Sequence, residues 1–394
     1  MNILNVTSST FFGGPERQML GLATALAPEI RSVFLSFAEG GRCRAFVDEA
    51  RRQGFESHEL SQDTPHFRRA CGHLAEFLVR HRCDVLLCHG YKAGLIGRIA
   101  ARRSKIPVVA VSRGWTYESA RVRLYELLDR INLRWMDRVV CVSHGQAAKV
   151  RKAGVAQRKI LVIPNAIDSA RFAPPDPAAR AELERLFPRP VRLIVGAAGR
   201  LSPEKGFLDL IDAAAMVSGR DPEVGFVLFG EGVLRPDLAE RINEWRLSDK
   251  FLLAGFRPDL DRLLPALDLL VQSSYTEGMP NVILEACAAG VPVVATAVGG
   301  TQEILGNDLA SQLVPAENPH ALGGRIQETL ADDARRRDLG TRGQRNVRER
   351  FTFTAQAQLY RKLFGELIGA TEPGSEGLSL ASESRKPLAG AVER

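Results

Sequence analysis

The chain has no apolar run approaching ~18 residues, so no stretch reads as a bilayer-crossing helix. No basic-then-apolar leader precedes the strand-like Ile3 to Val6, and the reading is of a cytoplasmic protein that is neither secreted nor membrane-spanning. Cysteine is sparse and unpatterned. Cys43, Cys71, Cys83, Cys88, Cys141 and Cys287 contain no CxxC and fall mostly in apolar segments, as small buried hydrophobes do in a reducing compartment. No His/Cys/Asp group has metal-ligand spacing, so neither a catalytic metal nor a cofactor is expected. The dinucleotide fingerprint GxGxxG is also missing, which argues against a dehydrogenase. No stacking-aromatic motif or DNA-reading element supports a nucleic-acid partner.

What remains is an ordinary globular composition, 45% apolar and 25% charged, in 394 residues, a length that one core rarely organises. Apolar β runs alternate with amphipathic helical stretches in two sets. The first comprises Ile3 to Val6, Val33 to Phe37, Val85 to Cys88, Pro107 to Val111 and Val139 to Val142; the second Leu193 to Ala197, Phe226 to Phe229, Phe251 to Ala254, Leu269 to Gln272 and Val291 to Ala295. That rhythm predicts two parallel α/β sheets. Proline-dense Phe172 to Pro190 is read as the connection between them. Net charge is +7, but residues 1–170 carry 26 Lys+Arg against 15 Asp+Glu, or +11, and the remainder −4. The basic half suits an anionic membrane surface or a phosphorylated acceptor, or is solvated surface.

Several strand ends carry anion-binding residue types. Gly13 and Gly14 allow close backbone approach, while Pro15 and Glu16 suit a helix start; a phosphate can come within reach there, although Gly-Gly is also an ordinary turn. His89 and Arg113 end the third and fourth strands, where α/β folds keep functional side chains. His89 also reads as a satisfied structural histidine. Arg113 cannot act as a base but can neutralise a phosphate. Arg200 and Lys205 share one strand-end loop, GRLSPEKG, and two cations there suit a diphosphate. Asp259-Leu260-Asp261 has a DxD form, better explained as helix-start carboxylates than as metal ligands. Residues 118–138 predict a helix with Leu124, Leu128, Ile131 and Trp135 on one stripe beside Arg123, Arg130 and Arg134. That pattern fits core packing with an Arg edge or, alternatively, a membrane interface.

The chain is read as organised around Glu277 to Glu285, EGMPNVILE. It follows an apolar strand, and Pro280 sits where a helix places its first residue, so free N–H groups and a positive dipole end face the sheet's carboxyl edge. Glu277 and Glu285 should stand about 10 Å apart at ~1.5 Å rise per residue. Retaining glycosidases need about 5–5.5 Å, so the two more naturally touch different parts of one long ligand.

This E-seven-E pattern resembles the signature of the retaining GT-B glycosyltransferases of glycosyltransferase family 4. GG at Gly13-Gly14, IPNAID at Ile163 to Asp168 with Arg171-Phe172, GRL with EKG at Gly199 to Gly206, and Gly230-Glu231-Gly232 resemble further family elements in family order. The resemblance implies two Rossmann-like domains facing across a cleft: 1–172 acceptor-binding, 173–190 linker, 191–350 donor-binding, 351–369 a helix crossing back, and 371–394 a disordered tail. It also implies a metal-independent, hexosyltransferase-type enzyme that retains anomeric configuration and builds cell-surface polysaccharide or lipopolysaccharide. A nucleotide diphosphate-sugar would meet Gly13, Gly14, Gly230, Glu231 and the backbone of Gly278, Met279, Pro280, Asn281 and Val282. Arg200 and Lys205 would hold the diphosphate, Glu277 the sugar and Glu285 the ribose, with His89 and Arg113 on the acceptor or sugar side. The acceptor would be a glycan or lipid-linked glycan, met at the inner face of the cytoplasmic membrane. Arg113 stands where the family often has a histidine, so a nucleotide-sugar-binding protein without transfer activity is the alternative.

Overall fold

The computed structural model describes residues 1–62, 66–116, 120–172 and 174–369; the tail expected at 371–394 lies outside them. From the N-terminus the elements are β1 (Asn2–Thr7), α1 (Gly14–Leu26), β2 (Arg31–Phe37), α2 (Arg44–Arg52), β3 (Glu56–Leu60), α3 (Phe67–Arg80), β4 (Val85–His89), α4 (Tyr91–Ser104), β5 (Val108–Ser112), α5 (Ala120–Leu133), β6 (Arg138–Cys141), α6 (His144–Lys152) and β7 (Ile160–Val162). Then come α7 (Pro177–Glu184), β8 (Leu193–Ala198), α8 (Phe207–Arg220), β9 (Val224–Phe229), α9 (Arg235–Glu244), β10 (Phe251–Gly255), α10 (Leu260–Leu263), β11 (Leu269–Gln272), α11 (Asn281–Ala288), β12 (Val293–Thr296), α12 (Thr301–Leu305), β13 (Leu313–Val314), α13 (Pro319–Leu330), α14 (Asp333–Arg350) and α15 (Phe353–Ile368).

They form two Rossmann-like domains. Strand order is 3-2-1-4-5-6-7 in the first sheet and 10-9-8-11-12-13 in the second, with the paired strands parallel. Strand order therefore reverses between β1 and β4 and again between β8 and β11. Open parallel sheets bind ligands outside the carboxyl ends of strands at such points. The loops that leave β1, β4, β8 and β11 hold Gly13, the region after His89, Arg200 and Glu277.

Residues 173–190, read as a linker, instead carry α7. Asp176 accepts the Ala178 N–H as its N-cap, Pro177 opens the helix, and Ala179, Leu183 and Phe187 bury against Ile194, Val227 and Leu264 of the second domain. Proline here starts a helix rather than breaking one. The chain crosses between domains twice. After the first crossing Ile167 bridges Thr352 in parallel, its N–H donating to the Phe351 carbonyl at 2.8 Å, and α15 then returns to the first domain. There Ala357, Tyr360, Leu363 and Phe364 pack with Ile3, Val85, Val109 and Val140 into one buried cluster.

The stripe on α5 is not core: Leu124, Leu128, Ile131 and Trp135, joined by Leu127, face outward, which corrects the core-packing account of that stripe, while the segment reaches the core through Leu133 and Met136; residues 118 and 119 lie outside the described residues.

Candidate functional site

The site is built where the two sheets' carboxyl-end loops meet. β11 delivers Gln272, and the loop after it turns Glu277 back over the strand end. Glu277 Oε1 accepts from Lys205 Nζ at 2.7 Å, Ser274 Oγ at 2.7 Å and Gln272 Nε2 at 3.2 Å. Its side chain is only 11% exposed and that of Lys205 24%, so the pair is largely shielded. From the first domain, Lys149 on α6 reaches across, its Nζ donating to Thr276 Oγ1 at 2.8 Å. Burial pushes the Lys149 ammonium down, and the nearby Glu277 carboxylate partly restores it. One carboxylate thus faces a cation from each domain. Lys149, Ser274 and Gln272 were missed in the sequence; the end of β6, followed by Ser143-His144-Gly145, was the available signal for Lys149.

Arg200 shares the loop after β8 with Lys205. Its guanidinium donates to Glu204 Oε1 at 2.8 Å and Ser202 Oγ at 3.3 Å, with the side chain half exposed. Burial pushes the Glu204 carboxyl up, and hydrogen bonds from Ser202 and Arg200 outweigh it and hold it low. The Phe229 to Gly232 turn packs directly on this loop. A Cβ on Gly230 would lie 1.8 Å from the Gly199 carbonyl oxygen, and φ there is 141°, so only glycine fits. Glu231 points away toward Arg235, at 3.3 Å.

Between Glu277 and Glu285 the backbone is used to join domains. A Cβ on Gly278 would stand 1.8 Å from the Arg113 carbonyl oxygen. Met279 is buried, its carbonyl accepting from Asn165 Nδ2 at 3.1 Å. Pro280 is the N-cap rather than the first helical residue of α11, one position from the sequence expectation. Asn281 Oδ1 accepts from Asn165 Nδ2 at 2.9 Å and Gln18 Nε2 at 3.4 Å, and Gly14 abuts its amide. Val282 is half-buried on the first turn. Glu285 lies further along and lines a cavity of about 900 Å³ with Gly14, Arg17, Asn281 and Arg171, within the size range of small-molecule sites. Burial raises the Glu285 carboxyl, opposed by Arg17 and Arg171. Glu277 and Lys205 do not line that cavity, so the two glutamates occupy separate environments.

On the first domain, Gly13 N–H is already engaged, donating to Glu16 Oε2 at 3.0 Å, so it caps α1 instead of standing open to a phosphate. His89 and Arg113 come together. His89 Nε2–H donates to Asn5 Oδ1 at 3.2 Å and its buried Nδ1 has no partner among the described residues. Burial, and then the Arg113 charge, hold the His89 imidazole neutral, its pKa well below 6.5. Arg113 Nε is likewise buried without a partner among the described residues.

Both DxD carboxylates are held by arginines. Asp259 binds Arg257 and Arg262, which hold it far below the usual carboxylate range, and Asp261 binds Arg171 at 2.8 Å. Asp259 is the N-cap residue of α10 and Asp261 lies in its first turn, the helix-start placement expected of them, although Asp259 makes its side-chain bonds to arginines rather than to the helix N–H groups. Among the described residues one trio can hold a metal by geometry: Glu56, His58 and His81, with ligand atoms within 4.8 Å of one another. It sits on edge strand β3 and the end of α3. Sequence spacing hid it because His81 arrives from a different element.

Two Rossmann-like domains whose carboxyl-edge loops meet are the GT-B arrangement of glycosyltransferases. Residues 12–171 match glycosyltransferase family 4 and residues 183–346 match glycosyl transferases group 1, together most of the chain. The chain belongs to the family 4 glycosyltransferases. It is 30% identical over 250 residues to UDP-Gal:alpha-D-GlcNAc-diphosphoundecaprenol alpha-1,3-galactosyltransferase of Escherichia coli, covering 61% of this chain and 65% of that protein. Over 227 residues it is 32% identical to the lipopolysaccharide core biosynthesis glycosyltransferase LpsE of Rhizobium meliloti, covering 58% and 64%. The chain thus spans less than two thirds of these curated relatives. Anabaena Alr3699/HepE, solved with UDP, shares the fold at a TM-score of 0.80 and 22% identity, over 93% of this chain and 100% of that one.

Proposed function

We propose that the protein is a retaining, metal-independent hexosyltransferase that moves a sugar from a nucleotide diphosphate-sugar to a glycan or lipid-linked glycan in cell-surface polysaccharide or lipopolysaccharide synthesis. The observation that carries this is the Lys205–Glu277 pair at the β8/β11 reversal, with Lys149 beside it from the opposite domain. In this reading the donor sits mainly on the second domain. Lys205 and Arg200 take the diphosphate and stabilise it as it leaves, Glu277 positions the sugar hydroxyls, and Glu285 accepts from the ribose in its cavity. The C1–O bond to phosphate breaks, the acceptor oxygen bonds C1 on the same face, and its proton passes to the departing phosphate. Arg113, short of a partner and next to neutral His89, neutralises phosphate on donor or acceptor. Relatives named for a diphosphoundecaprenol-linked acceptor and for lipopolysaccharide core support a membrane-borne acceptor, met by the +11 first half at the inner face of the cytoplasmic membrane.

The test incubates purified protein with UDP-, GDP- and ADP-hexoses and glycan acceptors in excess EDTA, and reads the product's anomeric configuration by NMR. Retention in EDTA is expected. Donor binding without transfer or hydrolysis makes it a binding protein, an inverted product removes the retaining mechanism, and rescue only by Mg²⁺ or Mn²⁺ returns Asp259 and Asp261 as ligands.

A further inference from the structure

Helix α5 turns most of its apolar side chains away from the core. Inward it presents buried Leu133 together with polar groups: the Glu126 carboxylate accepts the Thr116 N–H, Asp129 Oδ2 accepts from Trp115 Nε1 at 3.1 Å, and Asn132 Oδ1 accepts from Arg98 Nε at 2.7 Å. Its outward face is apolar. Leu124, Leu127, Leu128 and Ile131, continuing to Trp135, are 54, 50, 46, 37 and 58% exposed. Their spacing puts them on one stripe about 16 Å long at 1.5 Å per residue. Singly exposed leucines are normal in a soluble protein, but five contiguous apolar residues on one face are a docking surface.

The surroundings decide what docks. The Arg98 guanidinium lies over the Trp135 ring at 5.2 Å, and both open on a cavity of about 540 Å³ that Arg102 and Lys105 also line. Asp137, the acid at that cavity, is committed to the Val108 N–H at 2.8 Å. Residues 91–138 hold 11 Lys+Arg against 4 Asp+Glu, a local +7 equal to the net charge of the whole chain. A second copy would bring two such basic rims together, whereas an anionic lipid surface complements the rim. The rim differs from the arginine stripe read in the sequence: Arg130 stacks over Trp115 at 4.7 Å, and Arg134 Nε donates to the Ala153 carbonyl at 2.8 Å.

We propose that this face seats the protein on an anionic bilayer. The α5 leucines, Ile131 and Trp135 enter the headgroup boundary, and Arg98, Arg102 and Lys105 receive lipid phosphates. The proposal deepens, and rests on, the reading that the acceptor is membrane-borne. It gives that reading a docking face that Glu277 and Lys205 do not form.

The experiment co-sediments the full-length protein with phosphatidylcholine vesicles, with and without phosphatidylglycerol, none containing a glycan acceptor. Binding is expected only with phosphatidylglycerol and should fall as salt rises. Arg102→Gln with Lys105→Gln should lower the partition coefficient by about thirtyfold, at ~1 kcal/mol per basic residue. Leu124→Glu with Leu128→Glu should abolish binding while leaving transfer to a water-soluble acceptor unchanged. Equal binding by the leucine variant overturns the proposal, as does wild-type protein that ignores anionic vesicles. Concentration-dependent dimers that dissolve in the leucine variant, with no vesicle binding, assign the face to a second copy instead. Vesicle binding by a protein without transfer activity would sink the proposed function and leave the docking face standing.

Discussion

Lys205 Nζ and Glu277 Oε1 are 2.7 Å apart and tie the loop after β8 to the loop after β11. The pair therefore shapes the site as well as supplying its charges. Lys205→Ala leaves Glu277 with only neutral donors from its own domain, Ser274 and Gln272, and should lower stability by about 1.5–3 kcal/mol in urea unfolding. Affinity for whichever of UDP, GDP or ADP binds should fall about 10- to 150-fold, the worth of one charge-assisted hydrogen bond. Arg200→Ala, removing a half-exposed side chain, should cost less stability. Unchanged nucleotide affinity in both variants would falsify the diphosphate assignment.

The two glutamates should separate by role and by pH. Glu277→Gln is expected to cut kcat more than nucleotide affinity, and Glu285→Ala to cut nucleotide affinity more than kcat. Because burial raises the Glu285 carboxyl, its carboxylate form is lost earlier on acidification than that of an ordinary glutamate. Affinity for a nucleotide diphosphate-sugar, whose phosphodiesters do not titrate there, should fall as pH drops through that raised value. Calorimetry on Glu285→Gln should show the pH dependence gone; if it persists, another group carries it.

His89 is expected to make the fold acid-sensitive. Its native imidazole stays neutral well below the 6.5 of an exposed histidine, so the unfolded chain takes up a proton first. Stability from this group is present above about pH 6.5 and is lost as pH falls from there toward the native pKa, by up to ~1.4 kcal/mol per pH unit. Unfolding of wild type and His89→Gln across pH 7.5 to 5 should diverge in slope. Parallel curves would remove His89 as the cause.

Gly278→Ala should separate assembly from donor binding. Its methyl meets the Arg113 carbonyl oxygen at 1.8 Å, and relief means pushing the domains apart at a cost of about 1–3 kcal/mol. Turnover is expected to fall further than nucleotide affinity, because Arg200, Lys205 and Glu285 all stand on the second domain and are not displaced relative to one another. Wild-type turnover would show that the Arg113–Gly278 contact is dispensable.

The parallel α/β rhythm and the Glu277 to Glu285 turn were legible because they are local: apolar runs, a proline at a helix start, cations on one loop. What was not legible is what the third dimension adds. β3 reads Glu-Ser-His-Glu-Leu and edges the sheet, so it lacks the apolar run of a central strand; β7 and β13 are too short to stand out. α7 hid among prolines because Pro177 both breaks preceding structure and opens a helix. Lys149 sits 128 residues before Glu277, and only domain packing brings them near. The α5 stripe was visible, but periodicity alone cannot say which face turns inward.

The return of α15 sets an order of events at the ribosome. Tyr360, Leu363 and Phe364 cover Ile3, Val85, Val109 and Val140, yet they are synthesised about two hundred residues after β7 is complete. At about 5–20 residues per second, the first sheet waits roughly 10–40 s with one apolar face covered only in part, by α1, while the second domain emerges and folds. The domain that begins the chain is thus the last to be finished. A message truncated after Arg350 would release a product whose second domain is whole and whose first is a client for chaperones.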